Sequence, residues 1–96
     1  VASPTEPEKY SFLLFISGMS GKSVVAIENL RKICDEYLQG NCDIRIVDLN
    51  REPLLATEHQ IIAIPTLIKT GPMPPRTILG DLSDTAKVLR ILEITK

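Results

Sequence analysis

The run YSFLLFI, Tyr10 to Ile16, is the stretch that most restricts how this chain can fold. It is a short block of aliphatic and aromatic residues between polar flanks, the pattern of a strand covered on both faces. Such a strand belongs at the centre of a sheet. SGMSG, Ser17 to Gly21, breaks the run, and apolar residues then recur at helical spacing from Ser20 to Leu38: Val24, Ile27, Leu30, Ile33, Cys34, Tyr37 and Leu38. A central strand feeding a long amphipathic helix points to an α/β domain.

Ser20 is placed to cap that helix, Glu28 and Lys32 stand at i,i+4, and Gly40 suits a left-handed stop. DIRIVDLN, Asp43 to Asn50, reads as a second strand with a mixed exposed face, which completes a βαβ unit whose crossover should be right-handed. In REPLLATEHQIIAIP, Pro53 falls where a first helical turn tolerates proline, and Leu54, Leu55, Ile61 and Ile62 are spaced for one face of a short helix. PTLIKTG and RTILG flank a proline-rich connection and form a hairpin in the simplest reading. Ser83 or Asp84 then opens a closing helix carrying Ala86, Val88, Leu89, Ile91 and Leu92. The order βαβαββα has the shape of a thioredoxin-like domain, a four-stranded mixed sheet with helices on both faces.

Ninety-six residues, 44% hydrophobic and 24% charged, suit one small domain over 9–96 behind a loose, acidic and proline-rich tail over 1–8. A chain of this size buries roughly 60–65% of its unfolded surface, so self-association to a dimer or tetramer would add to a thin margin. Eleven basic against twelve acidic residues, net charge −1, give no electrostatic footprint for nucleic acid or anionic membrane. No apolar run approaches the roughly 20 residues needed to span a bilayer, and VASPTEPEK lacks the features of a signal peptide, so a cytoplasmic protein is expected.

FISGMSGKS, Phe15 to Ser23, is a near miss for a phosphate-binding loop, with Gly21, Lys22 and Ser23 in place. The first glycine is replaced by Ile16, whose β-branched side chain belongs to the strand and leaves no room for backbone to wrap a phosphate. Nucleotide hydrolysis is therefore disfavoured, and Lys22 is expected in solvent. In redox-active thioredoxin-like domains the same junction carries a cysteine pair, activated by the helix N-terminus. Here the corresponding positions are Ser20 and Ser23, which cannot form a disulfide. Cys34 and Cys42 lie elsewhere and read as buried or half-buried free thiols, and His59 reads as a helix-boundary residue. No metal, cofactor or catalytic set is expected. IPTL places Pro65 where thioredoxin-like domains hold a cis proline; the alternative is a trans proline opening a strand.

Together, KYSFLLFISGMSGKSVVAIENLRKI, IRIVDLNREPLLATEHQIIAIPTLIKTGPMPPRTILGDLSD and AKVL resemble the KaiB family of circadian-clock proteins and their relatives outside the cyanobacteria. PTL, followed at fixed distance by the proline-rich turn, an arginine and GDLSD, is the most specific part. The resemblance implies a non-enzymatic regulator that docks on a KaiC-like hexameric ATPase and changes its phosphorylation and output signalling. The sensor domain of the clock-associated histidine kinase is similar in fold. Lys69 and Arg76 match basic positions on the KaiC-facing half. Arg45 matches a basic residue on the second strand, whose edge receives KaiA in cyanobacterial relatives. A stress-response or signalling adaptor with another protein partner is the alternative function, and a redox enzyme is a distant third.

Two positions depart from the family pattern. Asp43 replaces a small apolar residue on the second-strand edge, which weighs against KaiA as a partner. The family also includes members that rest as tetramers in a βαββααβ arrangement and refold their second half to bind KaiC. Those members carry glycine where this chain has Ile91. Glycine costs a helix interior about 1 kcal/mol against alanine and isoleucine about 0.4 kcal/mol, so TAKVLRILEI is expected to continue as one helix and favour the thioredoxin-like state.

Overall fold

A computed structural model describes residues 9–71 and 74–94; the expected tail over 1–8 lies outside the described residues. Its elements are β1 (Tyr10–Ile16), α1 (Gly21–Tyr37), β2 (Cys42–Asp48), α2 (Leu54–Glu58), β3 (Thr66–Gly71), β4 (Arg76–Leu79) and α3 (Thr85–Ile91). This is the βαβαββα order expected of a thioredoxin-like domain, and among the described residues no strand covers 92–94, as the βαββααβ alternative would require.

The sheet order is β2-β1-β3-β4. β1 lies parallel to β2, from Tyr10 opposite Cys42 to Ile16 opposite Asp48, and antiparallel to β3, with Phe15 opposite Thr66. β3 and β4 pair antiparallel from Thr66–Leu79 to Lys69–Arg76. The alternation of side chains along β1 splits the core into two layers. Phe12, Leu14 and Ile16 pack with Leu30 and Ile33 of α1, Leu67 and Ile78 of the hairpin, and Val88 of α3. On the opposite face, Phe15 joins Val47 and Leu49 beneath Leu55, Ala56 and Ile61. β1 is thus central and buried on both sides, as its unbroken apolar run requires.

Ser20 caps α1, accepting a hydrogen bond from the Ser23 amide. At the far end, Gln39 shares the left-handed conformation with Gly40, whose amide donates to the Cys34 carbonyl. Glu28 and Lys32 form no ion pair; the pairs among the described residues are Lys9–Asp43 and Arg76–Glu93. Nor are the cysteines free: a disulfide joins Cys34 to Cys42, with their Cα atoms 6.2 Å apart. The tight turn after α1 brings the start of β2 back beneath the helix's last turn, an adjacency that a spacing of eight does not reveal.

The second half departs from its helical periodicity. α2 is only five residues long and buries none of them; Leu54 and Ile62 are 75% and 86% exposed, not partners of Leu55 and Ile61 on one buried face. Gln60, in the left-handed region, ends the helix, with the Gln60 and Ile61 amides donating to the carbonyls of Thr57 and Ala56. α3 ends the same way: Glu93 is left-handed, its amide bonds to Arg90 and that of Ile94 to Leu89. The expected run-on helix therefore stops at Ile91. Turning the chain there returns Ile94 to the core, where it packs against the cluster that contains Leu92.

Candidate functional site

The strand-to-helix junction that would hold reactive groups in a redox domain is closed on itself. The Ser20 hydroxyl donates to Ser23 Oγ at 3.0 Å and accepts from the Ser23 amide at 3.3 Å, and Ser23 is fully buried. Nothing in this pair acts as a base toward a hydroxyl, and Lys22 is exposed. The preceding turn is held by Asp48 at the end of β2, whose carboxylate accepts from the amides of Gly18 and Asn50 at 3.0 and 2.9 Å. The Gly18 amide first, and the Asn50 amide second, hold the Asp48 carboxyl below its ordinary range. Gly18 is left-handed, and a Cβ there would meet Asn50 Nδ2 at 3.2 Å.

Ile64–Pro65 is a cis peptide bond, as its position implied. Around it, Thr66 Oγ1 donates to the Ala63 carbonyl and the Gly80 amide donates to Pro65. GDLSD then makes a hydrogen-bonded corner into α3: Asn29 of α1 donates to the Asp81 carbonyl at 2.9 Å, and the Asp84 side chain caps the helix through the Lys87 amide. Hydrogen bonds from the Ser83 hydroxyl and amide, with a smaller contribution from Lys22, lower the Asp81 carboxyl. Pro65 and GDLSD thus position α3 and the hairpin against α1.

The three basic residues are not brought into one patch. Lys69 is only 2% exposed; its Nζ donates to the Leu92 carbonyl at 3.4 Å and lies 5.7 Å from the Tyr10 ring centre. Arg76, directly across the hairpin, is half-buried and pairs with Glu93 at 3.6 Å. Both cations therefore hold the C-terminal turn of α3, where the helix dipole favours positive charge. Arg45 stands exposed on β2 at the other edge of the sheet.

The most exposed apolar surface of the second half surrounds the α2–β3 connection and β4. Ile62, Ile64 and Leu79 are all exposed, and His59, Ile62, Ile68, Thr77 and Leu79 line a groove of about 380 Å³. His59 also packs its ring 5.1 Å from that of Phe15. Sequence reasoning missed this surface by assigning Ile62 to a helix face. The available signal was IIAI itself, more consecutive apolar residues than one face of a short helix can bury. Among the described residues no group of His, Cys, Asp and Glu could hold a metal ion, and no helix is long and apolar enough to cross a membrane.

Comparison with known proteins agrees with the fold and specifies the family. The KaiB domain model matches residues 13–94. The circadian clock oscillator protein KaiB of Microcystis aeruginosa is 41% identical over 85 residues, covering 88% of this chain and 82% of that protein. The circadian clock protein KaiB3 of Synechocystis is 43% identical over 81 residues, covering 84% and 79%. Among solved structures, the N-terminal domain of SasA from Synechococcus elongatus aligns with a TM-score of 0.71 at 16% identity, covering 97% of this chain and 91% of that one. Mitochondrial thioredoxin 3 from Saccharomyces cerevisiae aligns with a TM-score of 0.69 at 19% identity, covering 91% and 80%.

Proposed function

Because the chain belongs to the KaiB family of circadian-clock proteins, we propose that it is a non-enzymatic, cytoplasmic regulator that docks on a KaiC-like hexameric ATPase and modulates its phosphorylation state and output signalling. The observation that carries this reading is the family match over 13–94, which extends through IPTL and GDLSD. The closed Ser20–Ser23 pair supports a role without catalysis. The exposed Ile62–Leu79 groove supplies apolar area for a partner, with half-buried Arg76 on the same hairpin. Lys69 contributes from beneath by holding α3. The exposed carboxylate of Asp43 on β2 favours a system without KaiA.

Titration of this protein against the KaiC-like ATPase tests the reading. A saturable complex is expected, weakened by Leu79→Glu and Arg76→Glu and unchanged by Ser20→Ala. Absence of a complex would remove the proposal. Insulin reduction should be blank, since the cysteine pair lies at the end of α1 remote from Ser20; appreciable turnover would defeat the non-enzymatic reading.

A further inference from the structure

β2 is an edge strand, and its outer side has no strand partner among the described residues. Two hydrogen bonds fix which of its backbone groups face outward. The Asn41 carbonyl accepts from Tyr10, and the Leu49 amide donates to Ile16, so odd-numbered residues turn toward β1. Backbone direction alternates along a strand, leaving the N–H and C=O groups of Cys42, Ile44 and Ile46 pointing away from the sheet. The side chains alternate too: Cys42, Ile44 and Ile46 occupy one face, Asp43 and Arg45 the other.

We propose that this edge pairs with the β2 edge of a second copy of the chain, antiparallel about a two-fold axis at Ile44, joining two four-stranded sheets into one. In that register Ile44 faces Ile44 of the second copy, Cys42 faces Ile46, and each Asp43 faces an Arg45. Outward-facing backbone groups oppose one another at 42, 44 and 46. Asp43 and Arg45 fall at the closer, non-hydrogen-bonded positions, where cross-strand side chains interact best. An axis at Asp43 would set like carboxylates together, and one at Arg45 like guanidinium groups. A one-residue slip would oppose inward and outward backbone groups and set Ile44 against Arg45. Charge, apolar pattern and backbone direction therefore select the same register. Asp43 is accessible, its side chain 71% exposed in a surface ion pair with Lys9 at 3.4 Å that an opposing Arg45 can share, and Ile46 is 37% exposed. A self-paired β2 is closed to any other strand, and this inference does not depend on docking to an ATPase.

Sedimentation equilibrium of the full chain, with amide hydrogen exchange at Ile44 and Ile46, tests the pairing. A dimer is expected whose formation slows exchange at both amides and whose affinity falls with added salt. Arg45→Asp should raise the dissociation constant about tenfold or more, and Asp43→Arg with Arg45→Asp should restore it by exchanging the charges. Ile46→Pro, which removes an outward amide and leaves the ladder to β1 intact, should also abolish the dimer; circular dichroism confirms that each variant is folded. A monomer at all accessible concentrations would overturn the proposal. So would a dimer that ignores Arg45→Asp while the Ile44 and Ile46 amides stay unprotected. Protection of those amides at every concentration would assign the edge to another segment and equally overturn it.

Discussion

Lys69 shows how a charge can be legible in sequence while its environment is not. A lysine in IPTLIK reads as a surface cation because lysine is almost never fully buried. Here strand alternation turns it to the same face as Leu67, and the α3 carbonyl at Leu92 receives its amine. Lys69→Ala should cost about 2–3 kcal/mol and Lys69→Met about 1 kcal/mol, read by urea denaturation, since methionine keeps the packed stem and loses only the charged hydrogen bond. A substitution without effect would place the amine in solvent. Asp48 and Asp81 contribute to the acid response. Both carboxyls lie below the ordinary value of 3.8 when folded, so the unfolded state binds more protons in that range. Their stabilisation is complete above the ordinary value and is lost as pH falls through the lower folded values. Thermal melts against pH should show a flatter acid limb for Asp48→Asn with Asp81→Asn than for wild type; parallel limbs would refute the assignment.

At the scale of elements, the first half was readable because the signals for its strands, cap and helix agreed, although the Glu28–Lys32 pair does not form. YSFLLFI, the Ser20 cap and the period of α1 all place the boundaries within a residue or two of those observed. The second half was less readable because its helices end on non-glycine residues. Gln60 and Glu93 carry the left-handed turns, so neither stop is marked in the sequence. Gln60→Gly should consequently stabilise the protein by up to about 1 kcal/mol in chemical denaturation, as strain at that position is relieved. A loss would mean that the Gln60 side chain contributes more than its backbone costs. The disulfide was invisible for a different reason, since its spacing fits a pair or two free thiols equally. It closes a loop of separation 8, and reducing it should lower stability by about 2–3 kcal/mol, measured by denaturation with and without reductant.

For the whole molecule, fold and family were carried by sequence, while the candidate surface depended on which apolar residues the packing left outside. One face of the sheet is covered by two helices, the other by five-residue α2 and its connection. The thinner cover leaves Ile62, Ile64 and Leu79 exposed, Leu79 directly preceding GDLSD. On the proposed function, this second-half surface, and not the serine junction, meets the ATPase. Hydrogen exchange with and without the KaiC-like ATPase measures this directly. Slowed exchange across 60–64 and 77–80 is predicted, with Ser17 to Ser23 unchanged; protection confined to Ser17 to Ser23, or none anywhere, would rule this interface out.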